Sequence, residues 1–186
     1  MITVRLQRLI PEEMSEDQKL LYDAIAGGKR SQVARKSPLT GPDGALEGPF
    51  NAMLLVPKIG MALQSLGSAI RYESSLTSRV RELSILMVAA RWDCRFEQQA
   101  HEPLALDLGV TEHELAGIRS GGIPKAQSES EKLSFEAVMS LISPGDLDDE
   151  MYDKCREGLG EEQIFELTAL VGYYCTVALQ LRVFRV

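Results

Sequence analysis

The chain has 186 residues, 45% of them apolar and 25% charged, with a formal net charge of −7. That length and balance suit one soluble globular domain with a full core, and exclude a disordered chain, a collagen-like repeat and a disulfide-stapled miniprotein. The acidic charge speaks against nucleic-acid binding, which needs a basic field, and the odd count of three Cys (94, 155 and 175) speaks against a secreted disulfide framework and for the cytoplasm.

Taken in chain order, the periodicity is helical almost throughout. Met1–Leu6 lacks the basic segment and apolar run of a signal peptide. Ser15-x-x-Gln18, a capping box, precedes Leu20, Leu21, Ala24 and Ile25, and Gly27-Gly28 offers a left-handed stop. Residues 28–48 carry no sustained periodicity. They read as a solvated insertion or, because Lys29, Arg30, Arg35 and Lys36 stand in an acidic protein, as a lid that attracts an anionic ligand. After Pro57, Leu63, Leu66 and Ile70 mark a second helix. Thr77 or Ser78 caps a third that is apolar on nearly every side from Leu83 to Ala90, so it should be central.

One helix from 78 to 108 would be unusually long, and a break is expected near Asp93, with Asp93 or Cys94 as the new N-cap. Thr111-x-x-Glu114 and Ser128-x-x-Glu131 read as two further capping boxes. His113, inside the first of these, reads as an ordinary exposed His. A short helix with Met151, Tyr152, Cys155 and Leu159 on one face follows the turn Ser143-Pro144-Gly145-Asp146. The final apolar stretch, with Leu167, Leu170, Val171, Tyr174, Ala178 and Leu181 in one stripe, is interrupted by Glu166 and Gln180. It reads as shorter than a membrane span and therefore as a buried helix. No segment alternates as a half-buried strand does. The expectation is an all-α bundle of about seven or eight helices spanning residues 1–186 as one domain, with residues 48–120 as its core motif region.

The chemistry concentrates between Leu76 and Gly109. Cys94, Glu97 and His101 fall at i, i+3 and i+7, on one face of a helix. Glu97 and His101 are close enough to touch, and a carboxylate beside an imidazole suits a general acid or base. A thiol at a helix N-terminus is favoured as thiolate. Glu82, inside the apolar run, needs partners and can complete the cluster. The plainer alternatives are a small buried Cys94, a surface Glu97–His101 pair and a solvated Glu82. Cys-x2-Glu-x3-His lacks the ligand set usual for zinc, so no metal is expected.

The stretch Arg79-Val80-Arg81-Glu82-Leu83 … Arg91-Trp92-Asp93-Cys94-Arg95-Phe96-Glu97-Gln98-Gln99-Ala100-His101-Glu102-Pro103 resembles the carboxymuconolactone decarboxylase superfamily, which includes the alkyl hydroperoxidase D-like proteins. Gly48-Pro49-Phe50-Asn51 and Leu170-Val171-Gly172-Tyr173-Tyr174 resemble it too, so that the similarity covers roughly residues 10–183. The resemblance implies a homo-oligomer, a trimer or hexamer. In its hydroperoxidase branch Glu82, Cys94 and His101 match the relay Glu, the first Cys and the His of the Cys-x2-Cys site. Glu97 stands where that branch has its second Cys, so no disulfide can close across that turn. The decarboxylase branch needs no Cys pair and no cofactor, and its Glu-x3-His matches Glu97 and His101.

Three functions follow as expectations. The first is a cofactor-independent lyase for a small carboxylated lactone or related acid, with His101 as general acid/base and Glu97 as its partner. Glu82 and Cys94 would shape the pocket, and Arg91, Arg71 and Trp92 would hold an anionic substrate. The second is a one-Cys thiol peroxidase using Cys94. The third is a ligand-binding or assembly module in which the polar cluster is a satisfied core network, a reading that a dry, closed cluster would favour. Cys155, on an apolar face, reads as packing, and Cys175 is left open.

Overall fold

A computed structural model describes residues 5–28 and 38–186. Among these, nine helices and no strand are present: α1 Glu16–Ala26, α2 Pro49–Met53, α3 Pro57–Tyr72, α4 Ser78–Arg91, α5 Arg95–Asp107, α6 Glu112–Arg119, α7 Glu129–Ile142, α8 Asp149–Gly158 and α9 Glu161–Phe184. The all-α expectation holds. The helix that periodicity did not show is α2, whose five residues are too few to display a period. The described chain falls into two compact units, residues 1–72 with 176–186 and residues 73–175.

In the first unit Ser15 caps α1 through both bonds of its box: Gln18 N–H donates to Ser15 Oγ at 3.4 Å and Ser15 N–H to Gln18 Oε1 at 2.9 Å. Leu21 and Ile25 are buried, whereas Leu20 faces solvent. The helix stops at Gly27 as expected, but in a right-handed conformation, not the left-handed one anticipated. The core gathers Met14, Leu21, Ile25, Leu39, Leu46, Phe50, Met53 and Leu54.

The face that α3 buries also departs from the leucine stripe. Gly60, Gly67 and Ile70 are buried, while Leu66 is exposed. Close approach through glycine explains the difference. A Cβ at Gly60 would stand 2.4 Å from the Met53 carbonyl oxygen and 2.6 Å from Leu21 Cδ2. Gly60→Ala is therefore expected to destabilise the protein by about 1–3 kcal/mol, the usual cost of overpacking, measured by urea denaturation.

Residues 38–48 differ from an open loop. Leu39, Ala45 and Leu46 are buried. Thr40 and Leu46 form an isolated antiparallel bridge, and Arg8 clamps Asp43 and Glu47, each at 2.9 Å. Lys29, Arg30, Arg35 and Lys36, on which the lid reading rests, lie outside the described residues.

The second unit is built around α4. Thr77 Oγ1 accepts the Val80 N–H at 3.2 Å, and every residue from Glu82 to Ala89 is buried. Helices α5, α6 and α7 pack against it. Thr111 and Glu114 form a complete capping box at α6. Ser128 forms half of one at α7: its Oγ accepts the Glu131 N–H at 3.1 Å. The Glu131 carboxylate accepts instead from Gln127 N–H at 2.8 Å and from buried Arg79 at 3.4 Å. Arg79 also reaches Glu114 at 3.2 Å, so one guanidinium on α4 ties α6 and α7 to it.

Cys155 is fully buried in α8, as expected of packing, and burial raises its thiol pKa. Helix α9 is longer than expected: its 24 residues are long and apolar enough to cross a membrane by length and composition. Half of that stretch is nevertheless buried inside the protein, where Ile164, Leu167, Leu170, Val171, Tyr174, Val177, Ala178 and Leu181 form one stripe.

Candidate active site

The break between α4 and α5 creates the site. Helix α4 ends at Arg91, Trp92 caps it, and Asp93 takes φ +47°. That left-handed turn, which Asp tolerates better than most residues, starts α5 with Cys94 as N-cap. The hinge folds α5 back against α4, so Glu82 on one helix meets His101 on the other.

His101 is bonded at both ring nitrogens. Nδ1 lies 2.6 Å from Glu82 Oε2, and Nε2 lies 3.1 Å from Glu97 Oε2. All three residues are buried: Glu82 and His101 are 3% exposed and Glu97 5%. The surface-pair and solvated-charge alternatives are therefore excluded. Arg81 Nε stands 3.5 Å from Glu82 Oε1 and adds a positive group beside the cluster.

Burial opposes a charge on His101. Hydrogen bonds donated by the ring to Glu82 and Glu97, with the charges of those carboxylates, outweigh it and raise the imidazole above its usual pKa. The two carboxyl groups thus favour the protonated form of the ring between them. Tyr174 from α9 meets the His101 ring edge-to-face, with centroids 5.6 Å apart, and Tyr173 meets Tyr174 in the same way at 5.0 Å. The two tyrosines were not among the predicted site residues. Their signal was Tyr174's place in the apolar stripe of α9.

Cys94 is buried at the start of α5, on the face that carries Glu97 and His101. Its thiol does not follow the expectation for a helix N-terminus. Burial, joined by the charges of Glu97 and Asp93, pushes it up to about 11, against the backbone N–H groups of Glu97 and Phe96 that favour the thiolate.

The three residues expected to hold substrate have the following surroundings. Arg91 is exposed and lines a separate cavity with Met87, Ala90, Ile118 and Arg119. It stands nine residues after Glu82, about half a turn out of phase on α4 at roughly 100° per residue. Trp92 donates its indole N–H to Cys175 Sγ at 3.3 Å, which gives Cys175 a role that sequence spacing left open. Arg71 belongs to the first unit, where its guanidinium lies 5.8 Å from the centre of the Tyr72 ring.

Among the described residues no group of three or more His, Cys, Asp or Glu side chains is arranged to hold a metal ion. The arrangement at His101 is suited to storing and moving a proton at a buried position.

The second unit is thus an all-α arrangement whose hinge brings together a buried Glu–His–Glu cluster. Residues 57–138, a segment that contains Glu82, Cys94, Glu97 and His101, match the model of the carboxymuconolactone decarboxylase family, which supports the resemblance read from the sequence. A comparison with curated proteins finds no match.

Proposed function

We propose that the chain is a cofactor-independent acid–base lyase acting on a small carboxylated lactone or related organic acid, with His101 as general acid. The observation that carries this reading is the His101 ring held between Glu82 and Glu97 at 2.6 and 3.1 Å. Burying three ionisable groups is costly, and such clusters are poor devices for stability; perturbed groups gathered inside a protein are a recurrent mark of sites.

In this reading each residue takes a role. The short bond to Glu82 fixes the ring. The longer bond to Glu97 is the one that opens, freeing Nε2–H for substrate. In decarboxylation the carbon–carbon bond to the leaving carboxylate breaks and carbon dioxide departs. The electron pair stays on the substrate carbon, delocalised into its neighbouring carbonyl, and that carbon then takes the proton from Nε2 of His101. Glu97 returns a proton from solvent to the ring. The electron sink belongs to the substrate, so this step calls for no cofactor.

The test is to incubate the protein with a carboxylated lactone and follow carbon dioxide release. His101→Gln is expected to lower turnover by about 10²–10⁴-fold, the usual contribution of a positioned proton donor; unchanged turnover would sink the assignment.

A second reading is favoured by the closure of the cluster. Side chains only 3–5% exposed are also what a satisfied core network in a ligand-binding or assembly module would show. It predicts no turnover in the folded protein and a loss of stability alone in the variant. The peroxidase reading gains no support from Cys94, whose raised thiol is the wrong protonation state for attack on peroxide.

A further inference from the structure

A hollow lies in the same unit, where the C-terminal ends of α4, α6 and α7 meet. It has a volume of about 300 Å³ and opens to solvent. Its walls are apolar, with Met87 from α4, Ile118 from α6 and Met139 and Ile142 from α7. Two guanidinium groups, Arg91 and Arg119, stand in its lining. They are not equivalent. Arg119 is held by Glu102 through two bonds of 2.6 and 2.7 Å, with Glu112 at 3.6 Å. Arg91 is exposed and has no carboxylate partner among the described residues.

The place of Arg91 in the last turn of α4 suits the helix dipole. The dipole does not account for an apolar hollow beside it. Such a hollow takes apolar matter: a cavity of about 150 Å³ lined by aliphatic side chains is enough for a benzene ring, and small-molecule sites begin at about 300 Å³. A lone cation at the edge of that wall adds the orienting polar group that such sites use. We propose that this cavity binds a small apolar carboxylate, its hydrocarbon body against Met87, Ile118 and Met139 and its carboxylate on Arg91. The site lies on the face of α4 opposite Glu82, so it is separate from the His101 cluster and does not rest on the lyase reading.

Phenylacetate and its uncharged counterpart 2-phenylethanol are suitable probes, titrated into the full chain by isothermal calorimetry and by NMR of labelled methionine methyl groups. Saturable phenylacetate binding is expected, with shifts at Met87 and Met139 and affinity at least tenfold above that of 2-phenylethanol. Arg91→Gln should remove that tenfold preference and leave alcohol binding unchanged. Met139→Trp, which fills the hollow, should abolish both, whereas His101→Gln should change neither. Absence of saturable binding would overturn the proposal, as would equal affinity for the two probes. Binding that survives Met139→Trp in a variant shown to be folded by circular dichroism would place the ligand elsewhere and equally overturn it.

Discussion

Replacing His101 by Gln is expected to destabilise the protein by about 3–5 kcal/mol, the usual cost of removing one partner from a buried ion pair. The reason is the company His101 keeps. Glu82 and Glu97 are both buried and both bonded to its ring. Without the imidazolium, two carboxylates remain in the interior with no cation between them. Urea denaturation at pH 6 measures the effect, and a loss below about 1 kcal/mol would show that the cluster is better hydrated or relaxed than its burial implies.

The same variant carries a pH signature with a definite sign. The folded state raises the His101 pKa. Folding therefore favours the protonated ring, and the associated stability is fully present below the unfolded value of about 6.5. It is lost as pH rises through the higher folded value. Wild-type stability should fall on the alkaline side, and the His101→Gln variant should lack that component of the fall. A wild-type profile that instead rises through this range would contradict a charged His101.

The second large effect concerns Cys94. With its thiol pushed up to about 11, the thiolate fraction at pH 7 is on the order of 10²-fold below that of an ordinary thiol near 8.5. Alkylation of Cys94 by iodoacetamide in the folded protein should therefore be at least that much slower than in the urea-unfolded chain. Mass-spectrometric mapping separates it from Cys155 and Cys175. Glu97→Gln removes a charge that raises the thiol and is expected to speed the reaction severalfold. Rapid alkylation in the native state would revive the one-Cys peroxidase.

Much of the local structure was legible in the residues. Ser15, Thr77, Thr111 and Ser128 cap the helices they were expected to cap, because a capping bond needs only neighbours within a turn. The break at Asp93 and the shared face of Glu97 and His101 follow from the same short-range geometry. The errors lie where local signals compete with packing. Leu20 and Leu66 are exposed although their spacing is that of a buried stripe. The face of α3 was chosen by the close fit of Gly60 against Met53 and Leu21, and a hydrophobic pattern does not register glycine. Glu131 completes no capping box because Arg79, 52 residues earlier, and Gln127 claim its carboxylate.

The site divides along the same line. Sequence alone determined that the chain is built of helices, that its central segment is similar to the carboxymuconolactone decarboxylase family, and that Glu97 occupies the place of that family's second cysteine beside His101. Helical period and residue identity are properties of a single segment, so they could be read without coordinates. Only the tertiary structure decided that Glu82, 19 residues from His101, is its shorter-bonded partner, that burial reverses the expected bias of Cys94, and that Arg91 faces another cavity. Those facts depend on the angle at which α4 and α5 meet and on what surrounds them, which no spacing along one helix encodes.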